Sequence, residues 1–126
     1  MKMKDVCPRW NDLDDSVKVR MAVEVRIVAA TIRGILATRN YTLYGIDLDE
    51  GIEKTPLFED AMKLAFDLDD ARMFFRNKVT KELSWVYFVF GNSGYDVIND
   101  WTMSGDGFNE AVQAASDVHD NGDEEV

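Results

Sequence analysis

Cysteine occurs once in the 126 residues, at Cys7, histidine once, at His119, and proline twice, at Pro8 and Pro56. A single cysteine excludes an intrachain disulfide, and small secreted domains are often stapled by several, so a reducing cytoplasm is the expected setting. One histidine leaves no His cluster for a metal or a catalytic dyad. There is no Pro/Ser-rich linker and no internal repeat, so a single domain over residues 1–126 is expected, with 1–13 and 120–126 mobile. No uncharged apolar run is long enough for a membrane span. The most apolar stretch, Val17 to Ala37, carries Lys18, Arg20, Glu24, Arg26 and Arg33. The N-terminus also lacks the apolar segment of a signal peptide.

Basic charge is scarce as well: 14 Lys/Arg face 24 Asp/Glu, a net charge of −10. The imbalance is local. Residues 1–40 hold eight Lys/Arg and five Asp/Glu, whereas residues 41–126 hold six and nineteen. Such a body repels nucleic-acid phosphate and anionic lipid and attracts basic partners. Aromatic residues are plentiful, with seven Phe, four Tyr and three Trp in a chain that is 46% hydrophobic. That is ample material for one core.

Asp14, Asp15 and Ser16 are N-cap residues ahead of a long apolar segment that ends near Arg39-Asn40. Val17, Met21, Val25, Val28, Ile32 and Leu36 recur at helical spacing. Residues 17–27 also alternate like a strand, but Ala29 to Ala37 continue without a turn signal, so a helix is expected throughout. Tyr41 to Leu48 reads as a strand, and Asp49-Glu50-Gly51 as a turn. Thr55 and Pro56 then suit the cap and first position of a helix whose stripe is Leu57, Phe58, Ala61, Leu64, Ala65 and Leu68.

Three strands follow, Arg72 to Arg76, Trp85 to Phe90 and Tyr95 to Thr102, with Asn77–Leu83 and Gly91–Gly94 as hairpin connections. Gly105 and Asp106 start a last helix bearing Phe108, Val112, Ala115 and His119 on one face. Trp85 to Phe90 is apolar on both sides, which predicts a central strand covered on both faces. The sum is an α+β fold, a four-stranded, mainly antiparallel sheet with three helices in the order α-β-α-β-β-β-α.

No catalytic signature is present: no nucleophile elbow, Walker loop or dinucleotide-binding glycine motif. Asp47, Asp49, Glu50 and Glu53 around Gly51 resemble a calcium loop, but the twelfth position counted from Asp47 is Phe58 and not a glutamate. Asp67, Asp69 and Asp70 form a second acidic cluster. A solvated acidic turn is the plainer reading of the first. The second would serve acid–base or glycosidic chemistry only if its carboxylates were buried and held apart, and no metal or cofactor is expected. Arg20, Arg26, Arg33 and Arg39 offer a local basic stripe, but without a reader motif and at −10 overall, direct nucleic-acid binding is not expected. Ordered carboxylates can instead imitate duplex phosphate and fill the groove of a nucleic-acid enzyme. If one sheet face stays open, Trp85, Tyr87, Tyr95 and Trp101 would make a patch for a partner or for homodimer formation.

The segment Trp85–Asn92, followed by Gly94, Asp96-Val97-Ile98, Asp100 and Thr102, resembles the closing hairpin of small uncharacterised phage and prophage proteins. The resemblance is good over 84–102 and loose over 20–118, and Trp101 stands where a tyrosine is expected. It implies a phage-type origin and the same order of elements, and it brings no activity. Asp96 and Asp100 share a strand face in this reading and could meet a cation or a basic partner. The expected function is therefore a non-enzymatic accessory protein in the host cytoplasm that binds a host protein with a basic surface. Its sharpest form is an acidic inhibitor of a nucleic-acid-handling or defence system. The expected contact residues are Asp47, Asp49, Glu50, Glu53, Asp67, Asp69, Asp70, Asp96 and Asp100. The alternatives are a self-associating or small-ligand-sequestering protein, and a small enzyme working through Asp47, Asp49, Asp67 or Asp96.

Overall fold

A computed structural model describes residues 2–117. The order is α1 (Met3–Val6), a 3-10 turn (Trp10–Asp12), α2 (Asp15–Ala37), β1 (Tyr41–Leu48), β2 (Gly51–Lys54), α3 (Phe58–Ala65), β3 (Asp70–Asn77), β4 (Leu83–Val89), β5 (Ile98–Trp101) and α4 (Phe108–Ser116). The fold is α+β, and its sheet has five strands in the order β2-β1-β3-β4-β5, every neighbouring pair antiparallel. Four strands and three helices were one short of each. The extra helix is α1, inside the stretch expected to be mobile, and its Val6 is buried in the core. The C-terminal stretch 120–126 and His119 lie outside the described residues.

The long segment is helical from end to end, which resolves the competition between helix and strand periodicity. Its buried side differs from the expected stripe. Glu24, Ile27, Val28, Thr31, Ile32 and Ile35 face inward, while Val19 is 67% exposed. Of the strand-like alternation in the first third only Val19 is left to solvent; Val23 and Val25 pack against the core and Ile27 is buried in it.

β2 is a strand that the sequence does not announce: only its Gly51 belongs to the expected turn, and all four of its residues are exposed and carry no burial rhythm. Its pairing with β1 continues into the Thr55 N–H, which donates to the Tyr44 carbonyl at 3.1 Å. That bond keeps Thr55 with the sheet, and neither it nor Pro56 opens the helix; α3 begins later, at Phe58, with Leu57 at its N-cap and Glu59 and Asp60 in its first turn. β1 also bulges between Leu43 and Gly45. A Cβ on Gly45 would run into the Glu53 carbonyl oxygen, so the hairpin closes because this position is glycine.

The helices α2, α3 and α4 cover one face of the sheet. Leu43 and Ile46 of β1, Met73 and Phe75 of β3, and Val86 and Phe88 of β4 meet Ile32, Met62 and Phe108 in one continuous core. Phe108 packs against Tyr41 and Phe75 with ring centroids 5.1 and 5.8 Å apart. β3 is the middle strand, and the Trp85-containing β4 also lies inside the sheet, between β3 and β5, but nothing among the described residues covers the second face. Trp85 and Tyr87 are half-buried there because the Arg72 guanidinium lies against both rings, 4.7 and 5.3 Å from their centroids. Side chains that look apolar on both sides of a strand are satisfied here by a cation on one of them.

Two polar devices fix the connections. Asn77 is buried at 5% exposure; its Oδ1 accepts the Val79 and Thr80 N–H groups at 2.9 and 3.0 Å, and its Nδ2 donates to Asp106 at 2.9 Å. Glu24, 1% exposed, reaches from α2 to accept the Gly91 N–H at 2.8 Å and pairs with Arg20 at 3.5 Å. Gly91 and Gly94 both take φ of +94°, as expected of a tight loop, and Gly94 lets the backbone rest on Arg20 and Val23. Because this loop packs on α2, the last strand is short: the expected span Tyr95–Thr102 contracts to Ile98–Trp101.

Candidate functional site

Antiparallel pairing of β1 with β3 brings the end of one strand beside the start of the other. The β1–β2 turn and the α3–β3 connection therefore meet at the same end of the sheet, and their carboxylates come together. Asp47, Asp49, Glu50, Asp69 and Asp70, with Leu48 and Leu68 as floor, line a cleft of about 440 Å³. A neighbouring hollow of about 480 Å³ shares Asp47, Leu48, Asp49 and Asp70 and extends over Arg72 and Tyr87 on the open face. The two acidic runs, twenty residues apart in the chain, form one rim.

The other four expected contact residues lie elsewhere. Glu53 pairs with the core-facing Ile46 across the hairpin, so it is on the opposite side of the sheet from Asp47. Asp67 faces a separate cleft of about 710 Å³ between the N-terminal segment, α2 and α3, together with Lys4, Cys7, Arg9 and Lys63. Asp96 is turned into its own loop, where it accepts the Ser93 N–H and hydroxyl at 3.2 and 3.0 Å. Asp100 sits on the open face opposite Tyr87, accepting the Trp101 N–H at 2.8 Å. Asp96 is in a loop and Asp100 in a strand, so the shared strand face expected for them does not form.

The calcium-loop likeness of residues 47–58 also dissolves, since that segment is a β-hairpin and its exit. Among the described residues no three His, Cys, Asp or Glu side chains converge as metal ligands. The electrostatics are those of an open acidic rim with one neutral donor: the Tyr87 hydroxyl gives a 2.6 Å hydrogen bond to Asp70. That bond, with lesser contributions from burial and the Asp70 charge, raises the phenol pKa, while Arg72 opposes the change.

The expected aromatic patch divides. Trp85 and Tyr87 are on the open face. Trp101 pairs with core-facing Val86 and donates its indole N–H to Asn109 at 2.8 Å, and Tyr95 packs against the core. Sequence reasoning missed Tyr44, Arg72, Phe74 and Arg76 as members of that face; their alternation along β1 and β3 is the signal that could have found them. The chain matches no family model, no curated protein and no solved structure, which leaves its own geometry as the ground for a functional reading.

Proposed function

We propose that the chain is a binding protein without catalytic chemistry of its own, and that the acidic end of its sheet holds a basic partner macromolecule. The observation that carries this reading is the gathering of Asp47, Asp49, Glu50, Asp69 and Asp70 around one open cleft. Carboxylates concentrated on one rim give a local negative potential that steers a basic surface into contact, and their effect falls mainly on the association rate. The same charge repels nucleic-acid phosphate, so the partner is a protein. Taken with the phage-type resemblance of residues 84–102, that partner is a host protein. Its sharpest form is a nucleic-acid-handling or defence enzyme whose phosphate-binding groove the carboxylates occupy.

The test is a pull-down from host-cell lysate at low and then rising salt. The wild-type bait is run beside an Asp49→Asn/Glu50→Gln/Asp69→Asn bait. A basic protein that binds the wild type, elutes as salt rises and is lost with the neutralised bait is the expected result, because exposed charge contacts are screened within about 10 Å at 0.1 M salt. A prey held equally by both baits would place the contact elsewhere and remove the acidic rim from the account.

A further inference from the structure

Among the described residues nothing covers the second face of the sheet, and the charges on that face balance although the chain carries −10. Asp47, Asp70 and Asp100 are set against Lys54, Arg72 and Arg76. They are also ordered along the strands. On β3, Asp70, Arg72, Phe74 and Arg76 follow one another on the open side. β4 runs the other way and puts Val89 beside Asp70, Tyr87 beside Arg72, Trp85 beside Phe74 and Leu83 beside Arg76. The face is acidic at one end, aromatic in the middle and basic at the other end.

We propose that this face is the interface of a homodimer, with two copies stacked sheet on sheet about a two-fold axis lying in the interface across the strands. That axis keeps each strand over its own copy and exchanges its ends, and an isologous contact needs a surface complementary to its own image. Centred at Met73, it sets Arg76 over the partner's Asp70 and Leu83 over the partner's Val89. It also sets Trp85 over the partner's Tyr87, and Phe74 over the partner's Arg72. Each pairing joins opposite charges, two apolar groups, two rings, or a cation and a ring. Arg76 is exposed and has no ion-pair partner among the described residues of its own chain, which suits this arrangement.

Single-stranded nucleic acid is a poorer occupant: stacking platforms are flanked by basic grooves, whereas three aspartates stand among these rings. The size of the face sets the strength. Five strands about 4.8 Å apart, over about 20 Å of strand, make a footprint of roughly 400 Å² in projection. That is small beside the roughly 800 Å² per partner of a standard interface, so the dimer is weak and dependent on concentration.

Sedimentation velocity of the full chain over a wide concentration range tests this, with far-UV circular dichroism confirming that each variant is folded. The wild type is expected to show a reversible monomer–dimer equilibrium. Trp85→Ala should raise the dissociation constant by more than about tenfold, as loss of a central aromatic anchor does. Arg76→Asp and Asp70→Arg should each raise it about tenfold by opposing like charges twice per dimer. An equimolar mixture of those two variants should recover dimer, since both charge pairs are then restored. A chain that stays monomeric at every concentration overturns the proposal. So does a dimer that these substitutions leave unmoved, and so does a monomer whose tryptophan fluorescence is quenched by a single-stranded oligonucleotide.

Discussion

Tyr87 donates to Asp70, and the bond favours the protonated phenol over the phenolate. The folded-state pKa is therefore raised above the unfolded one. The stability this contributes is complete below the unfolded phenol's titration, near pH 10, and is lost as pH rises through the folded value. Ultraviolet titration of phenolate, with Tyr87→Phe as the subtraction standard, should place this group above an ordinary tyrosine, and Asp70→Asn should bring it down. An Asp70→Asn titration identical to the wild type would mean that the bond does not form in solution. Gly45 provides a second test at this scale. Gly45→Ala drives a methyl into the Glu53 carbonyl and should cost about 2–3 kcal/mol in urea unfolding, in the range of overpacked sites. A loss below about 0.5 kcal/mol would show that the hairpin shifts freely to admit it.

Among the elements, α2 and the loop 91–97 act as a pair through Glu24. Glu24→Ala leaves the Gly91 N–H without its acceptor and Arg20 without its ion-pair partner, and about 3 kcal/mol of stability should go with it. Glu24→Gln keeps an acceptor and should lose clearly less; equal losses would assign the effect to packing alone. The sequence could announce α2 as a helix, yet not that Glu24 lies inward, because a carboxylate is buried only when a distant backbone group meets it. The same limit explains β2 and β4. A strand with four exposed residues has no periodicity to read, and the Arg72 that clothes Trp85 and Tyr87 comes from another strand. What local chemistry decides was legible: the α2 and β1 spans, the presence of α4 (though it starts at Phe108 and not at Gly105), the hairpin 77–83 and the positive φ at Gly91 and Gly94. What pairing across the sheet decides was not.

For the molecule as a whole, the candidate site shows the same division. Both acidic runs were visible in the chain, but only the β1–β3 pairing makes one rim of them and leaves Glu53, Asp67 and Asp96 outside it. Five carboxylates held together repel one another, so the rim is a place where the fold gives up stability. Asp49→Asn/Asp69→Asn should therefore raise the thermal midpoint at low salt, and the gain should fade in high salt as screening removes the repulsion. A variant less stable than the wild type at low salt would show that these groups are held by favourable contacts.

The position of β3 has one more consequence. It is the only strand of the five whose two neighbours, β1 and β4, each have a further strand beyond them. Its amide hydrogens are bonded on either side within a frame that cannot open from an edge. In deuterated buffer they should exchange last, on the timescale of complete unfolding, while β2 and β5 exchange early by fraying at the rims. The sheet would thus release its protons from the outside inward, with the strand that joins the acidic end to the basic end as the last to let go.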